Sequence, residues 1–417
     1  MVEKGTEYLD KILGESSLSR CSTKLEKLKQ LCSNKLWHQL SLALEDCVSD
    51  ETFQSVPGFL LDLYTNFIQL FALKFNALKV VQIAVKVSQQ HTQPGDAIQF
   101  LEAVKLSIRD DKQDLQNISS SSSSSQQQKD NDKAGDQDQD GQLSPEEFRL
   151  REPTLFVNMS VGQLCLQSGN AQKAKDYMEE GLKMLDQIED ADPSVISSVY
   201  SLSSQYHKVH RNFDEFYKNS LLYLAYVSTD KLPADFKLAL AVDISLAALL
   251  GEGVFNFGEL LLHPIVTSLV GTKFEWLHAL LKCFNKGDMH AYDMICERYA
   301  DALNGQPELV KKAEGLRNKI TLLCLVEYLF SLPPEKRLVP LDEIASRAKL
   351  ASREEAEVVI MKAMAQGMVK GVIDQVAGVI QVSWVQPRVL THDQVRGLQT
   401  RLDQWSQKLA SISPLVH

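Results

Sequence analysis

The sequence predicts a mainly α-helical protein: a helical-repeat solenoid, then a winged-helix module, then a C-terminal helix suited to a bundle. Three observations carry this reading. Residues Leu341 to Ile412 read in turn as a helix–turn–helix, a two-stranded hairpin and a helix with a strict apolar stripe. Upstream, three helix starts resemble one another, at Gly169-Asn170, Arg211-Asn212 and Gly287-Asp288. Outside the hairpin, the apolar pattern is helical throughout.

The N-terminal part reads as short helices. Lys35–Val48 places Leu36, Leu40, Ala43, Leu44 and Val48 on one face. Phe59–Leu73 and Phe75–Val87 are apolar on more than one side, and Pro94 opens a helix through Ile108. Seven consecutive serines, Ser119–Ser125, then lead into a run of Asp, Lys and Gln. Such a tract buries too little apolar surface to offset its ordering entropy, so a disordered insertion is expected over 110–152. Helical pattern resumes at Thr154. The recurring starts are spaced by one and two multiples of about 38 residues, which suits stacked helix hairpins of the solenoid kind. Asn256 and Glu259 form a capping box for a helix after Gly251 and Gly253.

The C-terminal module is the most readable. A helix from about Glu308 to Phe330 stops before Pro333-Pro334. Leu341–Ala348 is a short helix, and Ser352 with Glu355 caps the next, which is expected to bury Val358, Val359, Met361 and Met364. Val369–Val376 and Val379–Val385 are β-rich runs around an Ala377-Gly378 turn, with Ile380, Val382 and Trp384 on one face. Thr391 and Gln394 cap the last helix. Its Val395, Leu398, Leu402, Trp405, Leu409 and Ile412 recur at spacings of three and four, an a/d seam. A tail folded back on its own domain is the plain alternative, but a core-facing helix usually adds e or g positions to its stripe. The resulting divisions are 1–109, N-terminal repeats; 110–152, the insertion; 153–216, further repeats; 217–386, a helical part to 332 followed by the winged helix; and 387–417, the terminal helix.

Composition bounds the function. The 417 residues carry 54 acidic and 44 basic side chains. Ten of the acids, against three basic residues, fall in 110–147, so the remaining body is nearly neutral. That leaves no electrostatic footprint for nucleic acid or an anionic membrane. No apolar run approaches the ~18 residues of a membrane span. The N-terminal residues lack signal-peptide character, and seven cysteines without regular spacing point to free thiols in cytoplasm and nucleus.

Catalytic signals are weak. Gly251-Glu252-Gly253 fits no nucleotide-binding spacing. His207 and His210 lie three apart, compatible with a metal pair, but no third ligand is near. The recognition helix would begin Ser352-Arg353-Glu354-Glu355-Ala356-Glu357, whose acids repel phosphate, and the wing Asp374–Gly378 has no basic residue. One loop does fit a metal pattern. Asp136, Asp138 and Asp140 stand at EF-hand carboxylate positions, Gln142 at the carbonyl position and Glu147 at the closing position, with Gly141 at the turn. Weak calcium binding is the expectation there, set against a Ser/Gln-rich approach that cannot form the flanking helix.

Helical repeats running into a winged helix and a terminal helix resemble the PCI-domain family, whose members scaffold the proteasome lid, the signalosome and an initiation factor complex. Particular strings resemble one type of proteasome lid subunit. They include Lys35-Leu36-Trp37-His38-Gln39-Leu40, the stretch Leu249 to Leu261 with His263-Pro264, Leu322-Leu323-Cys324-Leu325, Val359-Ile360-Met361-Lys362-Ala363, and Trp384 to Leu390. The resemblance covers nearly the whole chain outside the insertion. It implies a non-catalytic scaffold without a cofactor, active in assembly and ubiquitin-dependent degradation. It also implies other lid subunits as partners, including a neighbouring PCI subunit and a nearby ubiquitin receptor. The seam Val395 to Ile412 and the hairpin would be its interfaces. A signalosome or initiation-factor subunit, or a calcium-responsive adaptor, are the alternatives.

Overall fold

The computed structural model describes residues 2–13, 22–54, 56, 58–121, 145–188, 190–332, 336–387 and 392–412. The chain divides into two compact units, residues 1–210 with 222–227, and 211–221 with 228–417.

Helices fill the first unit: α1 Val2–Leu13, α2 Ser22–Ser33, α3 Trp37–Ser49, α4 Glu51–Gln54, α5 Phe59–Leu63, α6 Gln69–Phe71, α7 Ala77–Ser88, α8 Pro94–Ser121, α9 Pro145–Gln167, α10 Ala171–Leu185 and α11 Pro193–Val209. α3 buries Leu40, Ala43, Leu44 and Val48 as its pattern requires. Leu36 precedes the first turn and stays exposed, outside the expected face. The run after Phe59 is not one regular helix. A π-helical turn, Tyr64–Ile68, sits between α5 and α6. It turns Tyr64, Phe67, Ile68 and Phe71 into the core, where Phe71 meets Trp37 and Phe67 at ring separations of 5.4 and 5.2 Å. α8 and α9 both reach into the range assigned to the insertion, ending at Ser121 and starting at Pro145. α9 is the centre of the unit and packs against α7, α8, α10 and α11. Such all-round burial explains why its sequence lacks a clean polar face.

The recurring helix starts share a backbone device. Gly169, Arg211 and Gly287 each adopt a left-handed conformation, with φ of 84°, 56° and 62°. Asn170 N donates to Cys165 O and Asp288 N to Cys283 O, the long bond that closes a helix at its C-terminus. The next helix starts at once: Asp288 caps α16 by accepting from the amides of His290 and Ala291. Lys35, Lys349 and Gly367 repeat the left-handed turn elsewhere.

α12, Phe213–Tyr226, is shared between the units. The second unit continues with α13 Ala234–Leu250, α14 Gly258–Leu262, a 3-10 turn Pro264–Leu269, α15 Glu275–Lys286, α16 Met289–Arg298, α17 Ala300–Asn304, α18 Pro307–Lys311 and α19 Ala313–Ser331. The helix after Asn256 ends at Leu262, and Pro264 opens the 3-10 turn that follows it. One expectation is corrected here. The helix expected from Glu308 breaks at Lys312, between α18 and α19. α19 packs against α15, α16, α20 Leu341–Arg347, α21 Arg353–Ala365 and the sheet.

That sheet has three antiparallel strands in the order β1-β3-β2: β1 Leu338–Pro340, β2 Val369–Asp374 and β3 Val379–Val385. β1 is too short to leave a period-2 signal and was not foreseen. Leu341, Ile344, Ile360, Ala363, Val369, Ile380 and Val382 form the winged-helix core with Leu325, Val326 and Leu329 of α19. A bulge at Lys370/Gly371 pairs Lys370 with Trp384 and Gly371 with Val382, so Ser383 is the extra residue. The alternation shifts there, and Trp384 is part exposed under the Lys370 ammonium rather than in the core with Ile380 and Val382. α22, His392–Ile412, closes the described chain.

Candidate interaction surfaces

α22 forms where the heptad pattern placed it. Every side chain from Val395 to Leu409 is exposed. Leu402 and Trp405, at 55% and 62%, are among the most open large apolar residues of the chain, and Val395, Leu398 and Leu409 are about half exposed. The helix is therefore not a cover for its own domain. The side chain of Ile412 lies outside the described residues, as do those of Thr391 and Gln394.

The recognition helix α21 is anchored by Ser352, whose hydroxyl accepts from the Glu355 amide at 3.3 Å. The reciprocal arm of Glu355 reaches the Ala351 amide, one residue before the cap. α21 buries Ala356, Ile360 and Ala363, with Val359 and Met364 part buried. Val358 and Met361 point outward at 44% and 48% exposure, contrary to expectation. Three apolar positions and two at the margin suffice to seat the helix on α19 and β2, and the rest of its apolar residues are left over. The wing is fixed against α21: Arg353 donates to Gln375 O at 3.0 Å, and Gln375 donates to Glu357 at 3.1 Å. Glu354 is held below the usual carboxylate range by its hydrogen bond with Ser352. This face presents acids where a DNA-reading helix presents bases.

The glycine-rich segment after α13 has a different role from a nucleotide loop. A phosphate cradle points backbone N–H groups at its ligand. Here carbonyls converge on lysines. The Lys319 ammonium donates to Ala248 O at 2.7 Å, Leu249 O at 3.3 Å and Gly251 O at 2.6 Å. Lys312 donates to Leu250 O at 3.3 Å. Together they satisfy the final carbonyls of α13, which have no partner within the helix. The Gly253 amide is taken by Asp214 at 3.0 Å. Lys319 is buried, with the rings of Phe257 and Phe255 at 5.1 and 5.7 Å. Burial pulls its pKa down to about 7. Sequence reading passed over this residue, although a single lysine opening the apolar run Ile320–Val326 is a visible anomaly.

Other candidates resolve plainly. His210 stacks on Tyr206 at 4.2 Å and its Nδ1 contacts Tyr206 O, so it is engaged within its own helix. Among the described residues no group of three or more His, Cys, Asp or Glu can hold a metal ion. Cys32, Cys47, Cys165, Cys283, Cys296 and Cys324 are free thiols, and burial pushes Cys283 up to about 12. Such a thiol is inert. The calcium-loop positions Asp136, Asp138, Asp140 and Gln142 lie outside the described residues, as does the side chain of Glu147. No described helix is long and apolar enough to cross a membrane.

Repeats, a winged helix with an acidic recognition helix, and an exposed terminal seam define a protein of the PCI class. Residues 296–384 match the PCI domain, and residues 24–281 match the PSD13 N-terminal repeats. The "26S proteasome non-ATPase regulatory subunit 13 homolog B" of Arabidopsis thaliana is 40% identical over 382 residues, 92% of this chain and 90% of that protein. The "Probable 26S proteasome regulatory subunit rpn9" of Schizosaccharomyces pombe is 32% identical over 389 residues, 93% of this chain and 90% of that protein. The chain belongs to the family of 26S proteasome non-ATPase regulatory subunit 13. "Eukaryotic translation initiation factor 3 subunit M" of Aspergillus terreus matches 42% of this chain at 28% identity, a partial likeness that leaves the initiation-factor alternative behind.

Proposed function

We propose that this protein is a non-catalytic scaffold subunit of the 26S proteasome regulatory-particle lid, in cytoplasm and nucleus. Its partners are the other lid subunits, among them an adjacent PCI subunit, close to a ubiquitin receptor. The observation that carries the reading is α22, a heptad seam exposed on every described residue from Val395 to Leu409. Monomeric proteins rarely leave such a stripe open, and apolar anchors in a sealed seam dominate assembly energetics. Val395, Leu398, Leu402, Trp405, Leu409 and Ile412 enter a helical bundle with partner helices, and the hairpin β2–β3 contributes a second contact. Native mass spectrometry of complexes carrying the tagged chain tests this. Lid subunits in stoichiometric amount are expected; signalosome subunits in their place would overturn it.

A further inference from the structure

We infer that the outward face of α21 docks a basic amphipathic helix from another subunit, at a surface separate from the terminal seam. The inference rests on the assembly reading above and names a partner chemistry for a face that reading leaves unused.

The burial pattern defines the face. α21 turns Ala356, Ile360 and Ala363 inward. The opposite stripe is Glu354, Val358, Met361 and Ala365, at successive spacings of four, three and four, and all four side chains are exposed. Val358 and Met361 are large apolar groups with no burial role on this helix. Beside them stands the wing, a rigid wall. Arg353 and Gln375 tie it to α21, and Asp374 accepts from the Ala377 amide at 2.9 Å. Val376 at the wing tip is fully exposed. The result is a shallow apolar strip between a helix and a fixed turn.

Charge selects the occupant. Glu354, Glu355 and Glu357 crowd the first turns of α21 against Arg353, which the wing already engages, while Lys362 stands exposed farther along, so the acidic rim lies at the N-terminal end of the strip. A second copy of this face would set acid against acid, which disfavours self-pairing. Nucleic acid is repelled for the same reason. A helix with apolar side chains at i and i+4, flanked by Lys or Arg, fits both the strip and its rim. Methionine suits such a surface because its unbranched side chain adapts to the ligand.

The test places p-benzoylphenylalanine at position 361 of the full-length chain in the purified lid, and at exposed Gln205 as control. Native mass spectrometry first shows whether the chain enters the lid. Failure to enter sinks the assembly reading itself. In lids that contain the chain, irradiation should cross-link position 361 to a segment of another subunit with net positive charge and apolar residues at i and i+4. Glu354→Lys with Glu357→Lys should lower that yield at least tenfold, while Gln205 yields no such product. The inference is overturned by a silent probe in assembled lid. A cross-link within the chain, to a second copy or to an acidic segment overturns it equally, as does an unchanged yield after charge reversal.

Discussion

Replacing Lys319 with methionine isolates the contribution of the buried cation at the end of α13. The native ammonium makes two short bonds, to Ala248 O and Gly251 O, and a longer one to Leu249 O. Hydrogen bonds to charged groups contribute about 1.5–3 kcal/mol each. The rings of Phe255 and Phe257 add roughly 1 kcal/mol. Desolvation opposes these terms by several kcal/mol, and methionine escapes that cost. Its carbonyls stay behind, however, and an orphaned buried acceptor costs about 1–3 kcal/mol. The net loss for Lys319→Met should be about 2–4 kcal/mol. Hydrogen exchange at the Gly251 and Gly253 amides reads it directly, as a ~30- to 1000-fold loss of protection. Lys312→Met, at a part-exposed residue with one long carbonyl bond, should lose under about 1 kcal/mol. The pH dependence gives a second readout. The folded pKa is depressed to about 7, so from there to the ordinary lysine range the unfolded chain holds a proton the folded chain has released. Stability from this group therefore rises with pH in that window and is flat below it. Lys319→Met should abolish that slope. A loss below about 0.5 kcal/mol, or equal losses for the two lysines, would refute the assignment of Lys319 as the cap.

Gly287→Ala should cost about 2–5 kcal/mol in urea denaturation, because φ is +62° and the added Cβ would lie 2.8 Å from the Cys324 backbone of α19. Arg211→Gly, at the matching left-handed position, should instead be neutral or mildly stabilising. Leu402→Glu with Trp405→Glu should leave the melting temperature of the free chain within a degree or two, since neither side chain supports the fold. The same pair should block lid incorporation in a reconstitution assay; normal incorporation would remove the seam from the interface. Sedimentation of the free chain at micromolar concentration should show a monomer, and Arg401→Glu should not be needed to obtain one.

The fold was legible wherever local chemistry dictates it. Gly169-Asn170 and Gly287-Asp288 announced a helix end and the next helix start because both are encoded in two adjacent positions, although only Asp288 caps with its side chain and Asn170 does not. The hairpin strands and the helix α22 were legible from local pattern as well, through period-2 and heptad spacing. What stayed hidden depends on tertiary context. β1 exists because three residues find an edge of β3. The π turn at Tyr64–Ile68 comes from packing of aromatic residues that a helical pattern also satisfies. Val358 and Met361 looked like core because apolar residues are usually assigned inward, and only the seating of α21 on α19 shows that the core has no room for them. Lys319 was invisible as a site because its partners are carbonyls about 70 residues earlier in the chain.

α22 separates folding from joining. Its helix is unsupported by packing on any described face, so it is held by propensity, and at 21 residues it is just long enough to persist in water. Gly397 inside it costs roughly 1 kcal/mol and keeps that balance close. On the proposed function, the body of the chain folds without the seam, and the seam releases its energy on contact with partner helices. Sealing the exposed part of Trp405 alone, roughly 150 Å² at about 25 cal/mol per Å², contributes on the order of 4 kcal/mol. The flanks limit who collects it. With Val395 and Leu402 at a, the g positions include Arg401 and Lys408, whereas the e positions are Gln399 and Ser406. An antiparallel copy would bring basic g edges together, and a parallel copy would set them against neutral residues. Neither arrangement rewards self-association, whereas a partner helix with acids along that edge gains both the seam and the pairing. A narrow apolar stripe with one basic edge is thus compatible with a free monomer and with a defined place among unlike helices.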